Sequence, residues 1–438
     1  ESSMSSRSET SQVKLEVSRY TPPELLGLVA VTVILICIGT VNIYSSTQYM
    51  NIISGDSTYS HLARHLLFLS ISVITAFVLT KLPIKLVRKG ALVWVIGTVL
   101  LLCLVIVAGK NVNGATRWIQ LGPVSLQPSE FAKVTGIIWA SSYLAKKVDA
   151  GEKIALIPQV FRAIVGIFVS IFLFASGSKR KKNKKYTFGQ LLTYISPLAA
   201  PLVMAALVMK QPDMGTAAII LLLPCLLYII AGLPAIEILL GGAGIGTLGL
   251  LLALSSAYRR DRLFVLWDPF SDAAGKGYQT VQSLIAVGSG GFLGQGIGKG
   301  FAKFLYLPEQ YTDFAYAVFC QEMGFIGGII VMLLFMAFLL LGFATARRLK
   351  DSYSAFVVYG LTLMISLQGL INMAMVLGSF PVTGVPLPFI SFGGTSLMTN
   401  ICSVGLIYGT AVQSIENTER EVRKKRIQAM DGVNPFWQ

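Results

Sequence analysis

Long apolar blocks separated by short polar segments dominate this chain. A run of about 20 apolar residues is long enough for a helix to cross the hydrocarbon core of a bilayer. Ten blocks approach or exceed this length, at 24–46, 62–80, 90–108, 129–146, 191–209, 215–232, 236–256, 314–345, 355–378 and 391–413. The pattern predicts an all-α polytopic membrane protein with ten transmembrane helices. They form a single domain over 24–413, between tails at 1–23 and 414–438.

The composition agrees with a membrane protein. Hydrophobic residues make up 54% of the chain and charged residues only 13%, whereas a soluble domain carries about 25% charged residues. The five cysteines each lie in an apolar block and match no metal-binding spacing, which favours a packing role. The eighth block is longer than a bilayer requires, so its helix is expected to tilt or to project from the membrane.

The distribution of lysine and arginine indicates the orientation, because cytoplasmic loops carry an excess of these residues. With the N-terminus in the cytoplasm, the cytoplasmic segments hold 25 of the 36 basic residues and the outer segments nine. Six of those nine lie in one long loop, 257–313, between spans seven and eight. Both termini are therefore predicted to be cytoplasmic and this loop extracytoplasmic. The net charge of +15 reflects topology, and no nucleic-acid partner is expected.

One apolar block does not fit the ten-span count. Residues 154–176 are apolar, but the uninterrupted run, 163–176, has only 14 residues and is flanked by lysines on both sides. Such a run is short for a span, and a crossing here would invert every later loop. The segment 154–185 is therefore predicted to be a basic cytoplasmic insertion with an interfacial or re-entrant helix against anionic lipid.

The loop 257–313 is the most informative polar segment, since a long loop between hydrophobic helices is usually functional or disordered. Its aromatic and aliphatic residues favour an ordered, functional loop. Asp268 and Asp272 occur close to Arg259, Arg262 and Lys276. Cations suit a diphosphate leaving group, and a carboxylate suits a general base. A solvated charge cluster is the alternative interpretation.

The second half of this loop is rich in glycine. The seven glycines between Gly288 and Gly300 lack the Gly-Lys-Ser/Thr ending of a phosphate-binding P-loop, so a tight turn between short membrane-surface helices is expected. Glu309 and Asp313 lie at the mouth of span eight, and Glu322 lies further inside it.

Polar residues at the fourth span are functional candidates, because polar groups inside a bilayer are costly. Glu130 and Lys133 are three residues apart, share a helix face and can pair. In the preceding turn, Arg117 can bind a phosphate bidentately and Trp118 is a natural interface residue. A structural ion pair with an aromatic belt is the alternative.

Two further segments carry candidates with equally good structural explanations. Asp213 can act in the site or cap span six, since it precedes the helix start. Ser391, Gly393 and Gly394 open span ten, where glycines let a ligand approach the backbone closely. Close helix packing explains these glycines as well.

Together these motifs resemble the SEDS family, whose members include FtsW and RodA. The resemblance implies a peptidoglycan glycosyltransferase of the bacterial cytoplasmic (inner) membrane that polymerises lipid II on the outer side. Asp272 aligns with the family's catalytic carboxylate, although Ala273 stands where proline often follows it, so Asp268 is the alternative. The matching stretches, in family order, are Asn113–Lys133, Gln211–Thr216, Asp268–Gln282, Leu307–Asp313 and Pro381–Ser396.

The resemblance also implies a reaction. Asp272 is expected to deprotonate the acceptor hydroxyl, with undecaprenyl diphosphate leaving and the anomeric centre inverting. Arg117, Lys133, Arg259 and Arg262 are candidates for binding the diphosphate. A divalent cation, Mg²⁺ or Mn²⁺, could assist, although the sequence carries no strong metal-ligand motif. The residues expected to bind substrate are Arg117, Trp118, Glu130, Lys133, Asp213, Arg259, Arg262, Lys276, Gln279, Gln282, Glu309, Asp313, Ser391, Gly393 and Gly394.

The implied partners are lipid II, a class B penicillin-binding protein and other divisome or elongasome membrane proteins. The stretch from Phe304 to Glu309 and the N-terminal extension favour the FtsW type, which acts in cell division, whereas Thr383 to Pro388 favours the RodA type of cell elongation. The balance lies slightly with FtsW. Two rival functions are a lipid II flippase and a scaffold that only recruits a penicillin-binding protein. A flippase does not require a carboxylate in a long outer loop.

Overall fold

A computed structural model describes residues 21–112, 115–122, 124–155, 188–255 and 257–431 of the chain. The predicted interfacial helix of the insertion 154–185 lies almost entirely outside the described residues, as do most of the N-terminal tail and the last seven residues. Those predictions therefore remain as stated.

Each of the ten predicted apolar blocks is a helix in the structure. One short helix, α3, precedes α4. Six of the helices, α1, α2, α4, α11, α12 and α13, are long and apolar enough to cross a membrane, among the residues described. The ten-span count itself remains a prediction. The helices are α1 Pro23–Ile53, α2 Ser60–Thr80, α3 Ile84–Lys89, α4 Ala91–Ala108, α5 Pro128–Asp149, α6 Phe188–Lys210, α7 Met214–Ile230, α8 Ala235–Leu254, α9 Ala257–Trp267, α10 Tyr278–Ser289, α11 Ala315–Arg348, α12 Ser352–Val376 and α13 Gly394–Asp431.

The centre of the bundle is built from α5, α12 and α13. Helices α12 and α13 are the most buried of the six candidate spans, and α5 buries most of its residues. Glycines let α13 lie directly against α2, because a Cβ atom at Gly405 would come 2.7 Å from the Ala76 carbonyl oxygen and one at Gly409 2.5 Å from that of Thr80. Small residues at such contacts are typical of membrane helix pairs.

A small antiparallel sheet interrupts the helical pattern between α4 and α5. Strands β1 Lys110–Val112, β2 Ala115–Leu121 and β3 Val124–Leu126 lie in the order β1-β2-β3. The all-α prediction did not include this sheet, and the segment expected to be a turn at Arg117 is its central strand. Three-residue strands carry too few alternating positions to stand out against flanking apolar helices. The sheet fixes Arg117 and Trp118 on a strand, with successive side chains on opposite faces.

The helix α11 is broken at Gly324, whose backbone angles are φ 68° and ψ −170°. The glycine-rich segment forms the expected turns between two short helical elements, α10 and the π-helical turn Ala302–Tyr306, and it also fits into this break. The backbone N–H of Gly296 donates to the Glu322 carbonyl (3.0 Å), and that of Phe325 donates to the Gly291 carbonyl (2.9 Å). Gly294 has φ 84°, and a Cβ atom there would collide with the Glu322 carbonyl. Glycine is therefore required for the loop to approach the opened helix.

A buried ion pair lies at this break. The Lys303 ammonium is 3.6 Å from Glu322 Oε1, and both side chains are only 4% exposed. The Ser45 hydroxyl of α1 lies 2.6 Å and 2.8 Å from the two carboxylate oxygens of Glu322. The pair therefore ties the end of the long loop to both α1 and α11.

Candidate functional site

The long loop 257–313 is ordered around Asp272. It contains α9, a 3₁₀ turn at Pro269–Asp272, α10 and a π-helical turn at Ala302–Tyr306. Asp272 ends the 3₁₀ turn with an exposed side chain, and its Oδ2 accepts a hydrogen bond from the Lys276 backbone N–H at 3.0 Å. Gly275 lies directly beneath the carboxylate, since a Cβ atom there would be 2.4 Å from Oδ1 and 2.6 Å from Oδ2. Among the described residues, none donates a hydrogen bond to Asp272 Oδ1, which leaves this oxygen open to a substrate hydroxyl.

Asp268, the alternative to Asp272, has a structural role in the same turn. Its Oδ1 accepts hydrogen bonds from the backbone N–H groups of Phe270 (3.1 Å) and Ser271 (3.2 Å) and so caps the 3₁₀ turn. A carboxylate bound in this way is a poorer candidate for a base. The geometry therefore favours Asp272.

A pocket is connected to Asp272 through Lys276, which lines it, whereas Asp272 itself is not a lining residue. Lys276, whose backbone binds the Asp272 carboxylate, extends its ammonium to Asp261 Oδ2 of α9 at 2.9 Å. Gln279 lines the pocket one turn further on, whereas Gln282 is half-buried on the same helix. The lining residues are Val265, Leu266, Lys276, Gln279, Thr280, Gly378, Phe380, Pro381 and Val382.

For two predicted cations of this region, Arg259 and Arg262, the structure describes the backbone only. Arg259 and Arg262 lie on α9, the helix that also supplies Val265 and Leu266 to the pocket. Their side chains lie outside the described part of the structure. Their proposed contact with diphosphate therefore rests on their position in α9.

A second group of predicted residues meets at the proline-rich segment 381–388. Arg117 donates to the backbone carbonyls of Gln211 (3.3 Å) and Pro212. A Cβ atom at Gly384, which has φ 72°, would lie 3.4 Å from Asp313 Oδ2 and 4.0 Å from Arg117 Nη1. Gly384 thus separates two charged side chains that are 196 positions apart in sequence, as their residue numbers show.

Asn372 of α12 fixes this second group, and sequence reasoning missed it. Its amide nitrogen donates to the backbone carbonyls of Asp313 (2.7 Å) and Val385 (2.8 Å). Trp118 is half-buried beside Arg117 on β2. Because residues 380–382 line the pocket that contains Lys276 and Gly384 borders Arg117, the proline-rich segment contributes to both groups.

The predicted pair of Glu130 and Lys133 is confirmed. The Lys133 ammonium is 2.7 Å from Glu130 Oε1, and their side chains are 1% and 3% exposed. Gln368 of α12, which the sequence did not single out, accepts a hydrogen bond from the same ammonium at 3.0 Å. Lys133 is thus buried with its charge compensated, as in a structural ion pair. Within the described residues, Glu130 Oε2 and Gln368 Nε2 have no hydrogen-bond partner, so the cluster retains capacity for one more polar group.

The residues at the start of span ten divide between packing and access. The Ser391 hydroxyl is buried and accepts a hydrogen bond from the Leu387 backbone N–H at 2.9 Å. A Cβ atom at Gly394 would lie 2.6 Å from the Phe68 ring, so this glycine serves helix packing. At Gly393 the nearest described atom to an added Cβ would be 3.6 Å away, which leaves room for a ligand.

Glu309, at the end of the long loop, is exposed, has φ 53° and accepts a hydrogen bond from the Thr312 hydroxyl at 2.8 Å.

The capping alternative for Asp213 is confirmed. Its side chain is buried, and Oδ1 accepts a hydrogen bond from the Thr216 backbone N–H at 3.2 Å, at the start of α7. Loss of an N-cap typically costs about 0.5–2 kcal/mol of stability, whereas asparagine caps as well as aspartate. We therefore expect Asp213→Ala to lower the midpoint of thermal unfolding in detergent and Asp213→Asn to preserve it.

A matched comparison separates capping from a direct role of Asp213. Asp351 caps α12 in the same way, through the Ser354 backbone N–H at 3.0 Å. If the Asp213 carboxylate also contacts substrate, Asp213→Asn should lower glycan synthesis where Asp351→Asn does not. An unchanged unfolding midpoint in Asp213→Ala would refute the capping role.

Comparison with known proteins gives a consistent match over nearly the whole chain. The family described as FtsW/RodA/SpoVE, cell cycle protein, matches residues 26–416. The chain is 33% identical over 393 residues to stage V sporulation protein E of Bacillus subtilis, covering 89% of this chain and 97% of that protein. It is also 33% identical over 399 residues to the probable peptidoglycan glycosyltransferase FtsW of Coxiella burnetii, covering 88% and 96%.

Solved structures give the same fold. A chain of a peptidoglycan synthase complex that coordinates polymerization and crosslinking superposes with a TM-score of 0.63 at 26% identity, covering 89% of this chain and 98% of that chain. The rod shape determining protein RodA of Thermus thermophilus superposes with a TM-score of 0.59 at 24% identity, covering 89% and 96%.

Proposed function

This chain belongs to the FtsW/RodA/SpoVE family of cell cycle proteins, and from that premise we propose that it is a peptidoglycan glycosyltransferase that polymerises lipid II. The activity is the one named for its FtsW relatives. The observation that carries the proposal is the exposed Asp272 carboxylate, held above Gly275 with an open Oδ1 beside a pocket that contains Lys276.

The proposed reaction is a single displacement. Asp272 Oδ1 takes the proton of the acceptor sugar hydroxyl, and the hydroxyl oxygen forms a bond to the anomeric carbon of the donor. The bond from that carbon to the diphosphate oxygen breaks, and undecaprenyl diphosphate leaves with the electron pair. Because attack and departure occur on opposite faces, the anomeric centre inverts.

The leaving group carries the greatest charge in this scheme, and cations stabilise it. Lys276 lines the pocket and binds Asp272 through its backbone N–H, and Arg259 and Arg262 lie on α9, the helix that also supplies Val265 and Leu266 to the pocket. Gln279 and Gln282 would add polar contacts from α10.

The group around Gly384 is proposed to contact the remainder of the substrate. It comprises Arg117, Trp118 and Asp313, with Glu309 at its exposed edge. Asp213, Ser391, Gly393 and Gly394 line or support the same wall. Glu130 and Lys133 lie deeper and would take part only after their buried pair opens.

A divalent cation is compatible with this scheme. Within the described residues, no three His, Cys, Asp or Glu side chains come close enough to hold a metal ion. Mg²⁺ often binds through one or two carboxylates together with substrate phosphates. A cation of this kind would therefore arrive with the diphosphate.

Partners and cellular role follow from the relatives. One structural neighbour belongs to a complex that couples polymerization to crosslinking, so we propose a class B penicillin-binding protein as the crosslinking partner, alongside other divisome or elongasome membrane proteins. We propose the division role because FtsW names recur among the relatives. Elongation remains the alternative. A fluorescent fusion that accumulates along the side wall and not at the septum would favour elongation.

The polymerase function can be tested with the full chain, its penicillin-binding partner and lipid II in vesicles. We expect glycan strands on the side of the membrane that carries the loop 257–313. The buried polar cluster of Glu130, Lys133 and Gln368 within the bundle makes a flippase the second candidate. Transfer of lipid II across the bilayer without strand formation would establish that alternative and contradict the polymerase.

A further inference from the structure

Asp261 is an acidic residue that no motif of the chain singled out, yet it holds the principal cation of the pocket. Its Oδ2 lies 2.9 Å from the Lys276 ammonium, with the Lys276 and Asp261 side chains 61% and 28% exposed. Lys276 and Asp261 belong to different elements, the turn after Asp272 and the helix α9. The pair therefore spans the loop at the edge of the pocket.

The two ends of Lys276 are held in different directions. Its backbone N–H donates to Asp272 Oδ2 at 3.0 Å, whereas its ammonium points to Asp261. If the ammonium turned to the Asp272 carboxylate instead, it would stabilise the ionised form and weaken Asp272 as a base. The pairing with Asp261 keeps the positive charge near the pocket and away from the Asp272 carboxylate.

We propose that Asp261 binds the Lys276 ammonium in the absence of substrate, in place of the substrate's anionic group. It occupies the position next to the Lys276 ammonium that a diphosphate oxygen takes when the donor binds, and it releases the ammonium at that point. The inference rests on the proposed function, which supplies a prenyl diphosphate as the ligand. A diphosphate outcompetes a single carboxylate because it offers more charge and more acceptor oxygens to the ammonium.

The expected effect of Asp261 on the affinity for a prenyl diphosphate is modest. Exposed ion pairs contribute little to stability, and their range corresponds to about a 1.4- to 5-fold change in an equilibrium constant. Removing the Asp261 charge should therefore strengthen binding of a prenyl diphosphate by about 1.4- to fivefold. In steady-state polymerisation, Asp261→Asn should lower KM for lipid II and leave kcat unchanged.

The test uses the full chain in detergent and farnesyl diphosphate as the probe, with binding measured by titration calorimetry. We expect Asp261→Asn to bind the probe about 1.4- to fivefold more tightly and Lys276→Gln to bind it more weakly. The double variant should match Lys276→Gln, because the competitor has no effect once the ammonium is gone. Glu416→Gln removes a comparable exposed partner, of Arg420 at 3.6 Å, far along α13, and serves as the charge control.

Three results would overturn the inference. The first is unchanged or weaker binding in Asp261→Asn, and the second is an equal gain in Glu416→Gln. The third is a gain that survives in the double variant, since that would indicate a general field effect. Binding needs no turnover, so these results are separate from the proposed function. A wild-type protein that binds the probe as expected but makes no strands refutes the polymerase alone.

Discussion

Asp272→Asn is expected to reduce glycan-strand synthesis from lipid II by at least about 10²-fold while leaving the fold intact. General bases typically contribute 10²–10⁴-fold, and an asparagine amide cannot accept the hydroxyl proton. The substitution preserves the acceptor oxygen that binds the Lys276 backbone N–H at 3.0 Å, so the turn should persist. Strand length and yield from radiolabelled or fluorescent lipid II, in the presence of the penicillin-binding partner, would measure the effect.

Asp268→Asn is the matched control in the same turn. Asparagine retains the capping oxygen that accepts the Phe270 and Ser271 N–H groups, so this variant should keep most of the activity. Normal synthesis by Asp272→Asn would show that Asp272 is not the base. Loss of activity in Asp268→Asn with normal activity in Asp272→Asn would transfer the assignment to Asp268.

The helices were predictable because apolar length alone determines where a chain can span a bilayer. The predicted block 191–209 is the helix Phe188–Lys210, and 215–232 is Met214–Ile230. The last helix runs past the predicted end at 413 to Asp431. Polar residues can continue a helix into water with support from pairs such as Glu416 and Arg420, and hydropathy does not report this extension.

Site residues were predictable where the partners are neighbours in sequence. Glu130 and Lys133 share a helix face by spacing, and Asp213 stands one residue before a helix. The contacts between Arg117, Asp313 and Gly384 depend on tertiary packing, which local sequence patterns do not predict. Asp261 was missed for the same reason, since its partner lies 15 positions away across a turn, as the residue numbers show.

The break in α11 shows how tertiary structure overrides local pattern. The apolar block 314–345 predicts one long helix, yet Gly324 leaves the helical region and the glycine-rich segment supplies the missing hydrogen-bond partners. The sequence marks both segments as unusual, one by its length and the other by its glycines. Neither pattern predicts that α11 and the glycine-rich segment pack together. Their junction places Glu322 beside Lys303, which makes this buried pair a sensitive point of the fold.

Glu322→Ala is expected to destabilise the protein strongly, because it leaves the Lys303 ammonium, 4% exposed, without its anion. Removing one partner of a buried ion pair costs about 3–5 kcal/mol, whereas replacing both with apolar residues is often neutral or stabilising. The midpoint of thermal unfolding in detergent should fall by several degrees in Glu322→Ala. It should recover largely in the double variant Glu322→Leu with Lys303→Met.

Glu416→Ala provides the control, since Glu416 and Arg420 are also 3.6 Å apart but lie on an exposed helix face, with side chains 32% and 67% exposed. The two pairs have the same separation but differ strongly in burial, so Glu416→Ala should change the midpoint little. Equal midpoints for Glu322→Ala and Glu416→Ala would show that burial of the pair does not matter. Because Glu322 also binds Ser45 of α1, the double variant should restore stability without fully restoring polymerisation. Full activity in the double variant would mean that the junction at Gly324 only supports the fold and does not set the position of the loop that carries Asp272.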